Sequence, residues 1–303
     1  MNILVTGGAG FIGSHLVDAL AEKNEVAVID NLSNGNIKNV NKKVRFVKKD
    51  LVKDNLENEL NDCEIIFHFA ADPEVRISAE NPRSGFENNV TATFRLLEAC
   101  RKKDVKKLVF ASTSTVYGDA NKIPTPEGYA CEPISNYGAS KLACEAYLTS
   151  YANSYGIKTT VLRYANIFGE RSNHGVMYDF FQKLKNNKNE LEILGNGKQE
   201  KSYLYVNDCV NATLLASEKQ NKIYDVFNIG SEEKHDVDYI AKLACKIMKV
   251  NPKLKYTGGE RGWIGDVKIM QLAVDKIKKL GWKQTVSFDE GVKKYIEWLG
   301  HQY

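Results

Sequence analysis

The run Thr6-Gly7-Gly8-Ala9-Gly10-Phe11-Ile12-Gly13 constrains this 303-residue chain more than any other feature. It stands between a short β-rich run, Asn2–Thr6, and residues 12–23, whose apolar positions recur at helical spacing. Both Gly7-x-x-Gly10-x-x-Gly13 and Gly8-x-Gly10-x-x-Gly13 are present. Such a strand–turn–helix uses one glycine for the tight turn and one to let backbone approach a pyrophosphate. The last glycine packs the helix close to the strand. The helix then presents free N–H groups and its positive dipole end to phosphate. A dinucleotide site is expected here.

Strand-like runs at 25–29, 44–47, 65–69, 107–111 and 159–162 alternate with helical patterns over about 82–103 and 137–155. Near-continuous apolar strands alternating with helices predict a parallel sheet covered on both faces. The expected fold is α/β, a doubly wound parallel sheet of the Rossmann type. After Asn166 the pattern loosens, with shorter strands at 191–194, 202–206 and 224–228 and with Gly258, Gly259 and Gly262 in loops. A smaller mixed α/β lobe, closing over the carboxyl edge of the sheet, is expected to bind substrate. The boundaries are 1–165 for the dinucleotide domain and 166–303 for the lobe, with some lobe segments returning to the first domain.

Composition narrows the function classes. With 43% apolar and 26% charged residues the chain is ordinary for a globular protein. A net charge of +4 is slight, and Arg101-Lys102-Lys103 reads as a solvated face, so no nucleic-acid partner is expected. Cys63, Cys100, Cys131, Cys144, Cys209 and Cys245 are scattered without CxxC or His spacing. They read as small buried hydrophobes in a reducing compartment, with no metal site. The apolar runs are only strand-length and residue 2 already begins a strand, so the expectation is a cytoplasmic protein without membrane contact.

Asp30 ends the second strand, 17 residues after Gly13. A carboxylate there accepts hydrogen bonds from adenosine ribose hydroxyls and repels a 2′-phosphate, which selects NAD over NADP. Asp50, beyond the strand at 44–47, is placed to reach the adenine.

Tyr137-Gly-Ala-Ser-Lys141 places a tyrosine and a lysine four apart on one helix face. A free phenol titrates near ~10, too high for a general base at neutral pH. An ammonium within hydrogen-bonding reach lowers it by roughly 1–3 units, and a bound nicotinamide cation pushes the same way. The pair thus delivers a tyrosinate that takes a proton from a substrate hydroxyl while hydride leaves for NAD. The hydroxyls of Ser112, Thr113, Ser114 and Thr115 close the fifth apolar strand, where the nicotinamide is expected.

The segments TGGAGFIGSHLV, DNLSNG, HFAA, ENNVTAT, ASTSTVYG, YGASK and RYANIFG stand in the order and spacing of the extended short-chain dehydrogenase/reductases. GNGKQEKSYLYVNDCV, RGWIGD and LGW extend the resemblance over essentially the whole chain. Among these enzymes the chain most resembles the UDP-sugar 4-epimerases. The resemblance implies Tyr137 as base, Lys141 as its activator and ribose anchor, and Thr113 as hydroxyl partner. It implies NAD contacts from Gly7, Gly10, Phe11, Ile12, Gly13, Asp30, Asn31, Ser33, Gly35, Asp50 and Leu51. Phe69, Ala70, Ala71, Asn88, Ser112, Tyr137 and Lys141 complete that set. For a UDP-hexose it implies contacts from Thr113, Tyr137, Asn166, Lys201, Arg261, Asp266 and Met270, and a homodimer built on helices 89–103 and 137–155.

Departures from relatives choose among reactions. The resembling 4,6-dehydratases and UDP-glucuronate decarboxylases carry an acid just before VYG, where this chain has Ser114 and Thr115. Water elimination then lacks its acid, whereas a 4-epimerase needs none. The expected reaction interconverts UDP-glucose and UDP-galactose through a transient 4-keto sugar, with NAD resident and self-regenerating. Lys201 stands where the family commonly has Arg, which keeps a charge and loses the bidentate fork. Pro73 stands where some epimerases have a cofactor-contacting Lys. Met270, or Gln271 after a one-residue gap, replaces a bulky Tyr of some epimerases and leaves room for N-acetyl sugars. The alternatives are another NAD-dependent nucleotide-sugar enzyme (an epimerase of GDP- or dTDP-sugars, a decarboxylase, a dehydratase) and, more remotely, a non-catalytic NAD-binding regulator.

Overall fold

The computed structural model describes residues 1–75, 77–260, 262 and 266–302. In chain order its strands are β1 (Asn2–Thr6), β2 (Glu25–Asp30), β3 (Arg45–Lys48), β4 (Ile65–His68), β5 (Lys107–Thr113), β6 (Lys158–Tyr164) and β7 (Asn166–Phe168). There follow β8 (Glu190–Ile193), β9 (Glu200–Tyr205), β10 (Tyr224–Ile229), β11 (Lys234–Asp236), β12 (Lys253–Tyr256) and β13 (Ile269–Met270).

A seven-stranded sheet runs β10-β6-β5-β4-β1-β2-β3, and every neighbouring pair in it is parallel. All four residues of β4 are buried, as a strand covered by helices on both faces requires. The chain winds outward from β1 to β3, then restarts at β4 and winds the other way. Between β1 and β4 the order reverses, and this crevice at the carboxyl ends is where doubly wound sheets take their ligands. Thr6, Asp30, His68 and Thr113 end the strands around it. The expected doubly wound α/β fold is thus the observed one.

Helix Phe11–Leu20 and helix Val206–Lys219 pack together on one face through Leu16, Val17, Cys209, Val210 and Ala216. Helices Ala92–Lys102 and Asn136–Tyr155 bury Leu96, Leu97, Cys144 and Leu148 on the other. The helix expected over 82–103 is not continuous: a π-type turn, Phe86–Thr91, interrupts it between Pro82–Gly85 and Ala92–Lys102. This wider turn carries Asn89, 1% exposed, whose Nδ2 donates to Ser140 Oγ at 2.8 Å.

In the second half, β9 pairs with β7 and β13 in parallel and with β11 antiparallel, while β8 and β12 form a separate parallel pair. Sequence reading places only short strands there. The structure adds helices Val176–Asn186, Val237–Met248 and Phe288–Gln302, whose Phe180, Leu184, Ile240, Ala244, Val292 and Leu299 share one core with β8 and β9. The strand β10 leaves this lobe and joins the large sheet beside β6. Among the described residues no helix is long and apolar enough to cross a membrane, and the six cysteines are free thiols, four of them buried.

Candidate active site

The glycine loop is built from close approaches. Gly7 has φ +73, and a Cβ on it would stand 2.5 Å from the Ala70 nitrogen. A Cβ on Gly13 would stand 2.2 Å from the Gly7 carbonyl oxygen, so the helix lies against the loop with no space for a side chain. Gly10 enters helix Phe11–Leu20 without a capping side chain, and the first turn has no acidic residue. The first-turn N–H groups have no carbonyl one turn earlier. A cradle without Cβ atoms, ending in an uncapped positive helix end, fits a pyrophosphate.

The Asp30 carboxylate, 8% exposed, accepts the Ala9 N–H at 3.0 Å and the Leu32 N–H at 2.8 Å. Gly35 closes over it, since a Cβ there would lie 3.0 Å from both carboxylate oxygens. Each oxygen keeps a lone pair for a ribose hydroxyl. Asn31 accepts from the Ser33 N–H at 2.9 Å and donates to Asp50 Oδ2 at 3.4 Å, so these positions form one polar rim after β2. Leu51 is buried in the core beneath that rim. Ile12 and Phe69 pack against the sheet's other core, with Phe69 tilted on Tyr164. Ala70 donates its N–H to Thr6 Oγ1 at 3.3 Å, Ala71 is half-buried, and Asn88 donates to Ser84 Oγ at 3.2 Å.

Ser135 caps helix Asn136–Tyr155 by accepting the Gly138 N–H at 3.1 Å. Gly138 permits a tight approach to the Ser114–Tyr117 turn, because its Cβ would stand 2.7 Å from the Thr115 carbonyl oxygen. The half-buried Tyr137 is thereby brought beside Thr113, close enough for the Thr113 hydroxyl to act on the phenol. Burial pushes the phenol above its ordinary value; the Thr113 hydroxyl opposes this, and the Asp72 carboxylate adds to it. Lys141 is 3% exposed, and burial lowers its ammonium to about 8. Its Nζ donates to the Ala111 carbonyl at 2.9 Å and stands 6.0 Å from the Tyr137 ring centre. Here the spacing argument needs correction: the expected ammonium–phenol hydrogen bond is replaced by one to the sheet backbone. Ser112 is committed as well, donating to Glu145 Oε1 at 2.5 Å. Thr115 Oγ1 lies 3.1 Å from Thr113 Oγ1, so the position before Val116 carries a hydroxyl joined to Thr113.

On the lobe, Asn166 pairs in register with Tyr203 and donates its Nδ2 to the Ser202 carbonyl at 3.1 Å. Lys201 is the register partner of Met270 and forms an ion pair with the buried Asp266. Asp266 also accepts the Gly262 N–H at 3.0 Å. Arg261, named as a diphosphate contact, lies outside the described residues. Met270 packs against Val116, Tyr117, Ala165 and Leu272, whereas Gln271 donates its amide to the Glu232 carbonyl at 2.5 Å on the exposed side.

Sequence reasoning missed three groups. His68 is buried between Thr6 and Thr93, at 2.7 and 2.9 Å, and burial depresses it to about 3, so it is a neutral bridge between β1 and the helix layer. Asp72 accepts Ser84 Oγ at 2.5 Å and faces Tyr137 electrostatically. A clasp also ties the 169–175 loop to the first helix: Arg171 pairs with Asp18 at 2.7 Å, His15 Nε2 donates to the Glu170 carbonyl at 2.9 Å, and His174 meets Phe11 edge-on. His68 stands in the HFAA motif, but nothing local marks it as a strand bridge. The clasp joins residues more than 150 positions apart, which no local pattern reveals.

The glycine loop, Asp30 and the Tyr137–Lys141 helix stand together on a doubly wound sheet, and residues 3–230 match the NAD dependent epimerase/dehydratase family. The chain belongs to that family, whose cofactor is NAD. A solved UDP-galactose 4-epimerase is 45% identical, with 100% of this chain and 99% of that one covered and a TM-score of 0.91. The UDP-glucose 4-epimerase of Thermotoga maritima, solved with UDP-glucose, is 39% identical at TM-score 0.93, covering 100% and 99%. A UDP-N-acetylglucosamine 4-epimerase from Methanobrevibacter ruminantium is 32% identical at TM-score 0.92, again covering 100% and 99%.

Proposed function

We propose that the chain is a UDP-hexose 4-epimerase, interconverting UDP-glucose and UDP-galactose and, past Met270, their N-acetyl forms. The observation that carries this reading is the hydroxyl pair Tyr137–Thr113 at the end of β5, with hydroxyls and no carboxylate at Ser114 and Thr115. Proton transfer to and from a sugar hydroxyl needs such a pair; expulsion of water would need an acid as well.

Gly7, Gly10 and Gly13 would hold the NAD pyrophosphate, and Asp30 the adenosine ribose. Bound NAD supplies the acceptor, and on return the donor, of one hydride. Tyr137 would take the proton of the sugar 4-hydroxyl and give it back to the 4-keto oxygen once the transient keto sugar has turned its opposite face to the cofactor. Thr113, beside the phenol, would steer that hydroxyl with its own. Lys141 would contribute its charge across the ribose rather than by touching the phenol. Lys201, paired with Asp266, would face the diphosphate as a point charge.

A homodimer belongs to the same reading. Phe94 and Tyr147, 40% and 43% exposed, meet at 5.6 Å between ring centres on the outer face of helices Ala92–Lys102 and Asn136–Tyr155. Ala139 and Ala146 are exposed on the second helix, while Leu142 and Ala143 pack inward.

Product analysis by mass and NMR, on UDP-glucose, UDP-galactose and their N-acetyl analogues, tests the proposal. Isomers of unchanged mass support it; loss of water or carbon dioxide overturns it. Tyr137→Phe should lower turnover by about 10²–10⁴-fold with NAD binding kept, and full turnover in that variant would remove Tyr137 from the chemistry.

A further inference from the structure

Beneath the Tyr137 helix a buried polar row crosses three strands. Ser112 on β5, Arg163 on β6 and Asn228 on β10 are direct register partners, so their side chains leave the same face. Their exposures are 3%, 6% and 0%. Glu145, one turn beyond Lys141, accepts Ser112 Oγ at 2.5 Å and takes Arg163 through Nε and Nη2 at 3.1 and 2.6 Å. Arg163 Nη1 donates onward to the Tyr117 hydroxyl at 2.8 Å, and that hydroxyl donates to Asn228 Oδ1 at 2.8 Å. Asn228 Nδ2 then reaches the Thr125 carbonyl at 2.9 Å and the Ala273 carbonyl at 3.2 Å. Thr125 is laced to the same segment, its N–H donating to Gln271 O at 2.8 Å and its carbonyl accepting Ala273 N–H at 2.9 Å.

A buried ion pair is a poor source of stability, since desolvation offsets most of its attraction and apolar residues hold a sheet as well. What a directional chain adds is geometry: each bond fixes the angle of the next. One end of this chain is Ser112, the residue before Thr113. Its middle is Tyr117, on the turn that follows. The other end is the strap that leaves Met270.

We infer that Glu145, Arg163, Tyr117 and Asn228 are positioning residues that set the distance between the Thr113–Tyr137 hydroxyl pair and the Met270 wall. The inference rests on the reading of the Tyr137 site given above and goes beyond it by tying chemistry and sugar fit to one buried chain. Tyr117 is the joint, because its ring packs in place while its hydroxyl links the Arg163 and Asn228 side chains. Glu127 runs beside it, its carbonyl accepting Arg163 Nη1 at 3.1 Å and its carboxylate accepting the Asn228 N–H at 3.0 Å.

Tyr117→Phe tests this with the ring retained. Loss of both hydrogen bonds of that hydroxyl corresponds to at least about a fivefold effect. The expected result is a rise of that size in KM for UDP-galactose with kcat changed less than about twofold, and a similar acceleration of amide exchange at Thr125 and Ala273. Exchange across the remote β8–β12 pair should not change. Arg163→Lys keeps the charge but loses the fork, and should move both readouts in the same direction. Lower thermal stability with unchanged KM and unchanged exchange at Thr125 and Ala273 would reduce the row to a structural filler. If the wild type leaves UDP-galactose unconverted, the functional reading fails instead, and the exchange measurement alone decides the coupling.

Discussion

Lys141 lies one helical turn beyond Tyr137, yet its ammonium donates to the Ala111 carbonyl at 2.9 Å and stands 6.0 Å from the Tyr137 ring centre. Proximity in sequence therefore does not by itself make a tyrosinate. Burial dominates both groups, raising the phenol and lowering the ammonium to about 8. The pocket alone keeps the phenol protonated at neutral pH. In the proposed mechanism activation would fall to the charge of bound NAD and of Lys141 across the ribose.

The depressed lysine has a consequence for stability. Near pH 7 folding buries a charged ammonium that the unfolded chain leaves in water. Between about 8 and the ordinary lysine value near ~10.4 the folded chain binds fewer protons than the unfolded one, so this contribution to stability rises with pH. Lys141→Met removes the dependence. Its stability advantage over the wild type should shrink by roughly 2 kcal/mol between pH 7.5 and 9.5, measured by urea unfolding without cofactor. A gap that stays constant with pH would mean that Lys141 is not titrating in the fold.

The glycine cradle makes a sharper demand. A methyl on Gly13 would stand 2.2 Å from the backbone oxygen of Gly7, which has no flexible side chain to yield. Gly13→Ala should cost about 1–3 kcal/mol in stability and weaken NAD binding at least about 100-fold, because the helix end must back away from the pyrophosphate. Gly128→Ala, where a Cβ would meet nothing within 4 Å, is the control. Calorimetric titration with NAD reads both, and equal affinities would show that the loop tolerates the shift.

Assembly can be tested on the outer helix face. Phe94→Asp with Tyr147→Lys replaces two exposed rings that touch at 5.6 Å by charges. Light scattering after gel filtration should show the dimer converted to monomer with its circular dichroism unchanged. A wild type that runs as a monomer at micromolar concentration would end the proposal.

What could be read in advance follows the range of the interactions. The doubly wound parallel sheet rests on local strand–helix alternation, and the glycine loop, Asp30, Tyr137 and Lys141 are spaced within single turns or neighbouring strands. The π-type turn at Phe86–Thr91 escaped because it is held by Asn89 reaching Ser140, 51 residues away. The lobe helices escaped because their apolar faces close a core with β8 and β9 that no single window contains. Lys141 stands on the expected helix face, and its ammonium donates to the Ala111 carbonyl. Its helix position is local, whereas the Ala111 carbonyl that captures it comes from the sheet.

For the proposed epimerase, sugar selectivity would turn on Met270 and its neighbour. Met270 packs on Val116 and Tyr117, beside the turn that follows Thr113, whereas Gln271 turns its amide to the exposed Glu232 carbonyl. If the wall of the sugar pocket is Met270, Met270→Tyr narrows it against an N-acetyl group, and Gln271→Tyr leaves it alone. One methylene's worth of fit in such a pocket is about 10–200-fold in kcat/KM. Met270→Tyr should therefore lower kcat/KM for UDP-N-acetylglucosamine at least about tenfold relative to UDP-glucose, with Gln271→Tyr close to wild type. The reverse ranking would move the wall to Gln271. A wild type inactive on every N-acetyl sugar would show that Met270 does not open the pocket, and the selectivity would then have to come from another side of the site.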